Sequence, residues 1–383
     1  FNQAKTNLLP TLNVDAGSGI NTGRSIDPFT NAYVNEQVKF SRYGASSDLV
    51  LFNGLARRNN IRQNKQLYNA AEMDVEQAKD NIAIDITLAY LQALSNEDQL
   101  AQAERQAQLS FEQVNRLEKM NREGAISPYL LTDLKGQYAN DQLAIINAKN
   151  NWQLSKIELF KLMNIPYDEK VQLQRMDSAL IDMSQEQTAS QIYGQAVDQL
   201  PMIKAATLRE SGALYGWRSA RGRLFPLLSF GASVNTNYSS AAGIKYAKQL
   251  DNNLFKSFSL NLSVPIFNGF FARNRIKLAE LLHKNTTLIA STTKTRLQQS
   301  IEEAYAQLTA AKERYTTLQD QLDAYQESFR SATIRFNEGA INSVDYLTAK
   351  NNLDRSNINL INARYDYLLR KKIIDYYQGQ SLR

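Results

Sequence analysis

Residues 123–126 read Glu-Gly-Ala-Ile, and residues 338–341 read Glu-Gly-Ala-Ile again. The separation is 338 − 123 = 215 residues. Phe52-Asn53-Gly54 returns at the same distance as Phe267-Asn268-Gly269, Ala89-Tyr90 as Ala304-Tyr305, and Asn147-Ala148-Lys149 as Asn362-Ala363-Arg364. Upstream, the stretch from Ala4 to Pro10 matches that from Ala220 to Pro226 at an offset of 220 − 4 = 216. One insertion or deletion therefore separates two otherwise parallel blocks. A period this long is not a solenoid. It predicts a duplicated gene and two copies of one architectural unit.

Composition limits what the unit does. The 383 residues contain no cysteine and one histidine. This excludes disulfides, thiolate metal sites and cysteine nucleophiles, and leaves no histidine cluster for a metal or a Ser-His-Asp site. No apolar run approaches the ~20 residues of a spanning helix, and the mean hydropathy is −0.44. An α-helical membrane protein is excluded. The net charge of +6 comes from 44 Lys+Arg against 38 Asp+Glu, interspersed and without a run of five like charges, which reads as solvated helix faces. Phe1 opens mid-pattern with no signal peptide, so a natural N-terminus is expected upstream.

Each copy begins with two stretches that read as strands. Phe258, Leu260, Leu262, Val264 and Ile266 alternate with Ser259, Asn261 and Ser263; Leu228, Phe230, Ala232 and Val234 alternate with small polar residues. In copy one, Leu12, Val14 and Ala16 alternate with Asn13, Asp15 and Gly17, and Leu49 and Leu51 continue the pattern. Polar loops are expected from Gly17 to Gln37 and from Ser239 to Asn253. Two burials explain such alternation: a soluble sandwich, or a barrel with apolar side chains toward lipid. Four strands do not close a barrel, for which about eight is the practical minimum; three chains would pool twelve.

Long helical patterns follow, over 54–121 and 270–337, without proline. At ~1.5 Å per residue each reaches about 100 Å, too long for anything but coiled coil. Leu318, Leu322, Tyr325, Phe329, Ala332 and Phe336 step by fours and threes, and Ala103, Ala107, Ser110, Val114, Leu117 and Asn121 stand in the same register one copy earlier. The return helices carry Tyr346, Ala349, Leu353, Ser356, Leu360, Ala363 and Tyr367, against Leu131, Leu134, Tyr138, Asp141, Ile145, Ala148 and Trp152. Between helix and return helix lie tight turns. Gly124 and Gly339 sit where a helix C-cap wants positive φ. Ser127 before Pro128 predicts an N-cap with proline at the first helical position, and Asn342 or Ser343 the other cap.

The expected organisation is a first repeat over 1–162 (strand pair about 10–53, long helix 54–121, tip 122–128, return helix 128–162). A mixed connector over 163–213, which carries Pro166 and Pro201 and is expected outside the helices with short strands among its elements, leads to a second repeat over 214–383 (strand pair about 226–268, helix 270–337, tip 338–343, return helix 343–377).

Duplicated strand–strand–helix–hairpin units, with Phe-Asn-Gly at each strand–helix junction and Glu-Gly-Ala-Ile at each tip, resemble the TolC-like outer-membrane efflux family over nearly the whole chain. The resemblance implies a mainly α fold with a β-barrel part: long antiparallel coiled coils forming a periplasmic tunnel, and four strands per chain in a 12-stranded barrel of a homotrimer. It implies an exit duct in the outer membrane of a Gram-negative bacterium, extending into the periplasm. The duct would be no enzyme, hold no cofactor and bind no nucleic acid, and would work with a periplasmic adaptor and an inner-membrane transporter. It further implies adaptor docking at the tips, Gly124, Ala125, Ile126 and Ser127 with Gly339, Ala340, Ile341 and Asn342. A family acid lining the closed entrance falls on Asp345. A second acid falls on Thr348, a basic partner on Ile341 and an aromatic on Phe336, so the polar latch of the family is only partly present; Asp133 is the copy-one counterpart of Thr348. Asp345 has a second reading, a first-turn carboxylate favoured by the helix dipole at ~0.3–1 kcal/mol.

His283 and Trp152 read as packed side chains, and Trp217, Tyr238, Tyr246, Phe255, Tyr33 and Tyr43 as candidates for an interfacial aromatic belt. The competing function class is a soluble coiled-coil scaffold with a small β-sandwich.

Overall fold

The computed structural model describes residues 2–26, 31–175 and 187–380. In chain order the elements are α1 (Asn2–Thr6), β1 (Thr11–Asn21), β2 (Arg24–Ile26), β3 (Tyr33–Asn35), β4 (Val38–Phe52), α2 (Ala56–Arg122), α3 (Pro128–Leu162), α4 (Ala189–Gln199), α5 (Pro201–Gly222), β5 (Leu227–Ser239), α6 (Tyr246–Asn252), β6 (Phe255–Ser263), α7 (Phe271–Asn337) and α8 (Ser343–Tyr377). The helices α2 and α7 each have 67 residues and begin 271 − 56 = 215 apart; α3 and α8 each have 35 and begin 343 − 128 = 215 apart.

The chain divides into two compact units. One comprises residues 1–73 and 204–293, the other 74–203 and 294–383. The first holds an antiparallel sheet in the order β1-β4-β5-β6. Its pleat sorts side chains by chemistry. Val14 pairs with Ala45, Ala45 with Val234, Phe230 with Leu260, and Leu228 with Leu262, so these apolar side chains share one face. Asn13, Ser46, Ser233 and Ser257 share the other, with Asp15, Gly44 and Asn235. The apolar face is bare: Val14 is 76% exposed, Phe258 74% and Leu262 66%. Among the described residues the only other sheet is the ribbon of β2 and β3, three residues each, which cannot cover it. The strand alternation is therefore not that of a sandwich within this chain.

The loops differ from expectation. β1 continues through Gly17, Ser18 and Gly19 to Asn21: Gly17 and Gly19 fall on the polar face, and the Ser18 hydroxyl, on the other, donates to the Phe40 carbonyl at 3.1 Å. The segment expected as loop also contains β2 and β3. In the second loop, α6 places Gln249 in the interior. Its amide donates to the carbonyls of Ser239 (2.9 Å), Ala242 (3.2 Å) and Ile244 (2.8 Å) and accepts from the Ser239 N–H at 2.9 Å, so one side chain organises the turn. Of the expected aromatic belt, Tyr43 and Tyr246 share a hydroxyl hydrogen bond of 2.8 Å and Tyr238 packs on Tyr246 at 4.7 Å. Trp217 instead lies on α5, its ring 6.2 Å from that of His283.

In the second unit the stripes of α2, α3, α7 and α8 are buried or half-buried at every heptad position named above. Where described, the connector holds no strand: residues 163–175 are turns and irregular backbone, and α4 and α5 follow, with Ile192 and Ala196 of α4 packed on Leu297, Ile301 and Leu308 of α7 and Tyr367 and Ile374 of α8. Thr188 opens α4 with a capping box. Residues 176–186 of the connector lie outside the described residues. The helix α5 runs unbroken from Pro201 to Gly222, across the expected boundary at 213, and its last five residues (218–222) stand 216 from α1.

Candidate entrance, hairpin tips and strand–helix junctions

Both tips close by the same backbone device. Gly124 has φ +71 and Gly339 φ +74. The Ala125 N–H bonds to the Met120 carbonyl at 2.9 Å and Gly124 to Asn121 at 3.1 Å; Ala340 bonds to Arg335 at 2.8 Å and Gly339 to Phe336 at 3.1 Å. These are paired Schellman closures, which satisfy the last helical carbonyls around a left-handed residue. The helix starts differ. Asn342 accepts the Asp345 N–H at 2.9 Å, whereas Ser127 holds the N-cap position in extended backbone without a side-chain bond, leaving Pro128 to set the first turn. Ile126 and Ile341 tuck against a cluster of Val114, Leu117, Leu134, Phe336 and Tyr346. Of the expected docking residues, Gly124, Ala125, Ser127, Gly339, Ala340 and Asn342 face outward.

The gate candidates separate into two kinds. Phe336 is buried and stacks on Tyr346 with centroids 4.5 Å apart, so it is a core side chain of the tip. Asp133 accepts the Ser343 hydroxyl at 2.7 Å, a bond from α8 to α3 that ties the second hairpin to the first. Asp345 and Thr348 are exposed, one turn apart on α8; the Thr348 hydroxyl donates back to the Val344 carbonyl at 2.7 Å.

Deeper along the same helices lies a charged cluster. The Lys350 Nζ sits 3.0 Å from Asp141 Oδ2 and 2.7 Å from Asp354 Oδ2, with the lysine side chain 2% exposed. Asp141 also accepts from the Ser110 hydroxyl and from Gln137 at 2.8 Å. Burial pushes the Asp354 carboxyl above the ordinary carboxylate range, although Lys350 pulls it back. The network joins α2, α3 and α8 in water-poor surroundings, where a charge is tolerated only when paired. The sequence held half of the signal: Asp141 and Ser110 stand on heptad stripes, where a polar residue calls for a partner. Lys350 stands beside its stripe and carries no pattern.

In the other unit, Gly54 and Gly269 both take φ +63 and are followed by Leu55 and Phe270 at φ +64. Asn53 and Asn268 accept from the amides of Arg57 (3.3 Å) and Ala272 (3.4 Å), opening α2 and α7. A Cβ on Gly54 would lie 2.1 Å from the Gly222 carbonyl, while one on Gly269 would meet nothing within 4 Å. Phe52 ends β4, and Phe267 is 75% exposed.

One chain thus holds a sheet bare on its apolar face and two helices of 67 residues, and comparison with known proteins gives its family. The profile described as "Outer membrane efflux protein" matches residues 1–164 and 192–372. The chain belongs to the outer membrane efflux protein family. Among curated relatives, it is 19% identical over 385 aligned positions to "Outer membrane protein TolC" of Salmonella enteritidis, covering 99% of this chain and 76% of that protein. It is 22% identical to "Toxin and drug export protein A" of Aggregatibacter actinomycetemcomitans over 59% of this chain, and spans half the length of that relative. Solved structures share the fold: CusC superposes with a TM-score of 0.86 at 16% identity, over 99% of this chain and 85% of that one. VceC of Vibrio cholerae superposes at 0.83 and 16%, over 100% and 90%.

Proposed function

We propose that this member of the efflux family is an outer-membrane exit duct of a tripartite efflux or type I secretion system, acting as a homotrimer. The observation that carries the reading is the four-stranded sheet whose apolar face is bare and whose outer strands, β1 and β6, each leave one edge unpaired. In lipid an open edge leaves backbone donors and acceptors without partners, so strands span a membrane only as a closed barrel. The lengths suit it: β1 has 11 residues and β6 has 9, against the ~9–11 of a spanning strand. Three chains give twelve strands, apolar outside and Gly, Ser, Asn and Asp inside. The scaffold reading loses its support because, among the described residues, no second sheet covers the apolar face.

The repeats over 1–162 and 214–383, joined by the connector, divide the work in this reading. Strands make the barrel, coiled coils the periplasmic conduit, and the outward tip residues receive an adaptor that links the duct to an inner-membrane transporter. The transporter supplies the energy; the duct opens and closes by movement of its inner helices. Asp345, exposed on α8, repeats three times around the axis as an acidic ring at the entrance. Asp345→Asn should alter single-channel conductance or its block by divalent cations in planar bilayers, and an unchanged channel would remove the ring. For the duct itself, the protein should fractionate with outer membrane, need detergent, and run as a trimer. A monodisperse soluble monomer would overturn it.

A further inference from the structure

The sheet contains a template for its own intermolecular seam. Thr11 pairs with Asp48 across β1 and β4. Adding 216 to the first and 215 to the second gives Leu227 and Ser263, which are partners across β5 and β6. So β1 corresponds to β5 and β4 to β6, register included. The chain also pairs β4 with β5, Ser47 opposite Ala232 and Asp48 opposite Gly231. The corresponding pairing would be β6 with β1, and within one chain these are the two opposite edges of the sheet. Closing four strands on themselves is sterically excluded, since about eight is the practical minimum.

We infer that β6 of one copy pairs antiparallel with β1 of the next in a fixed register, Leu262 (47 + 215) opposite Ala16 (232 − 216) and Ser263 (48 + 215) opposite Asp15 (231 − 216). Phe258 then faces Ile20 and Asn261 faces Gly17, so apolar partners meet on one face and polar partners on the other. A slip of one residue would invert every one of these pairs.

The strand–helix junction supplies a second observation. Gly54 is closed upon by the end of α5 at Gly222, and Ser219 of that helix donates to the Ala56 carbonyl at 2.9 Å. The same offsets take Gly54 to Gly269 and Gly222 to Thr6, the end of α1. Gly269 has the backbone conformation of Gly54 but an open space where its helix end belongs. The occupant assigned here is the end of α1 of the neighbouring copy, which the β6–β1 seam would carry to that position.

This rests on the oligomeric barrel proposed above, and the test separates the two. The chain has no cysteine, so paired cysteines report cleanly. Opposed residues in an antiparallel pair alternate between wide and narrow Cα spacings, so both Leu262→Cys/Ala16→Cys and Ser263→Cys/Asp15→Cys are made. The control is Leu262→Cys/Leu12→Cys, four residues out of register, about 13 Å along the strand at ~3.3 Å per residue and beyond disulfide reach. With purified protein in detergent under mild oxidant, at least one in-register pair should give dimer and trimer bands at more than tenfold the control yield. Trimers by mass in which neither in-register pair cross-links, or in which the control cross-links as well, overturn the register and leave the duct standing. A monomeric mass with no intermolecular band overturns both.

Discussion

Lys350 lies between the carboxylates of Asp141 and Asp354 at 3.0 and 2.7 Å, almost out of reach of water. Replacing the three by apolar side chains would cost little, but removing one partner strands the others. Lys350→Ala should therefore destabilise the helical unit by about 3–5 kcal/mol, read as a fall in the urea midpoint. Adding Asp141→Leu should recover part of that loss, because one of the two stranded charges goes with it. A single variant that melts like the parent would show that water reaches the site. Asp133 and Asp345 illustrate what position alone reveals. Both were legible as acids near a tip; only coordinates show that one is engaged by Ser343 and the other faces outward.

Among the elements, the helices and their turns were the most readable part. Glycine at each tip, proline after Ser127 and the uninterrupted heptads each point to one local structure, and the structure adds the hydrogen bonds. It also distinguishes two caps that look alike on paper. Asn342→Ala removes a bond to the Asp345 amide and should cost about 0.5–2 kcal/mol, whereas Ser127→Ala removes none and should be nearly neutral. Thermal melts of the two variants side by side check the difference. The parts not legible were short or unperiodic. Strands of three residues, β2 and β3, carry no alternation to detect, and α6 is seven residues in a polar stretch held by Gln249. The connector, with Pro166 and Pro201, loses the heptad and reads as a mixed segment with short strands, whereas its described residues hold irregular backbone and helices. Pro201 instead sits at the first position of α5, where a missing N–H costs nothing.

At the scale of the whole molecule, the two faces of one sheet make opposite demands on substitution. Leu262 stands in the apolar row and Ser233 in the polar row. Leu262→Lys should lower membrane insertion by about 2–4 kcal/mol if the position is near the bilayer midplane, whereas Ser233→Lys should insert normally and change ion selectivity instead. Membrane-fraction yield and reversal potential, measured on both, test the pair. The class of fold was legible because the same arrangement is written twice; the choice between sandwich and barrel was not, since alternation reports that two faces differ and is silent about what covers them.

The two offsets, 216 for β1 against β5 and 215 for β4 against β6, place the single gained or lost residue between the strands, in the stretches that contain the β2–β3 ribbon and α6. In the barrel proposed above, the same event inside a strand would have turned half the lipid-facing side chains toward the aqueous lumen. The halves were thus free to change length only at the strand-connecting end of the sheet, and foreign peptides grafted there, as affinity tags or displayed epitopes, should leave the wall intact.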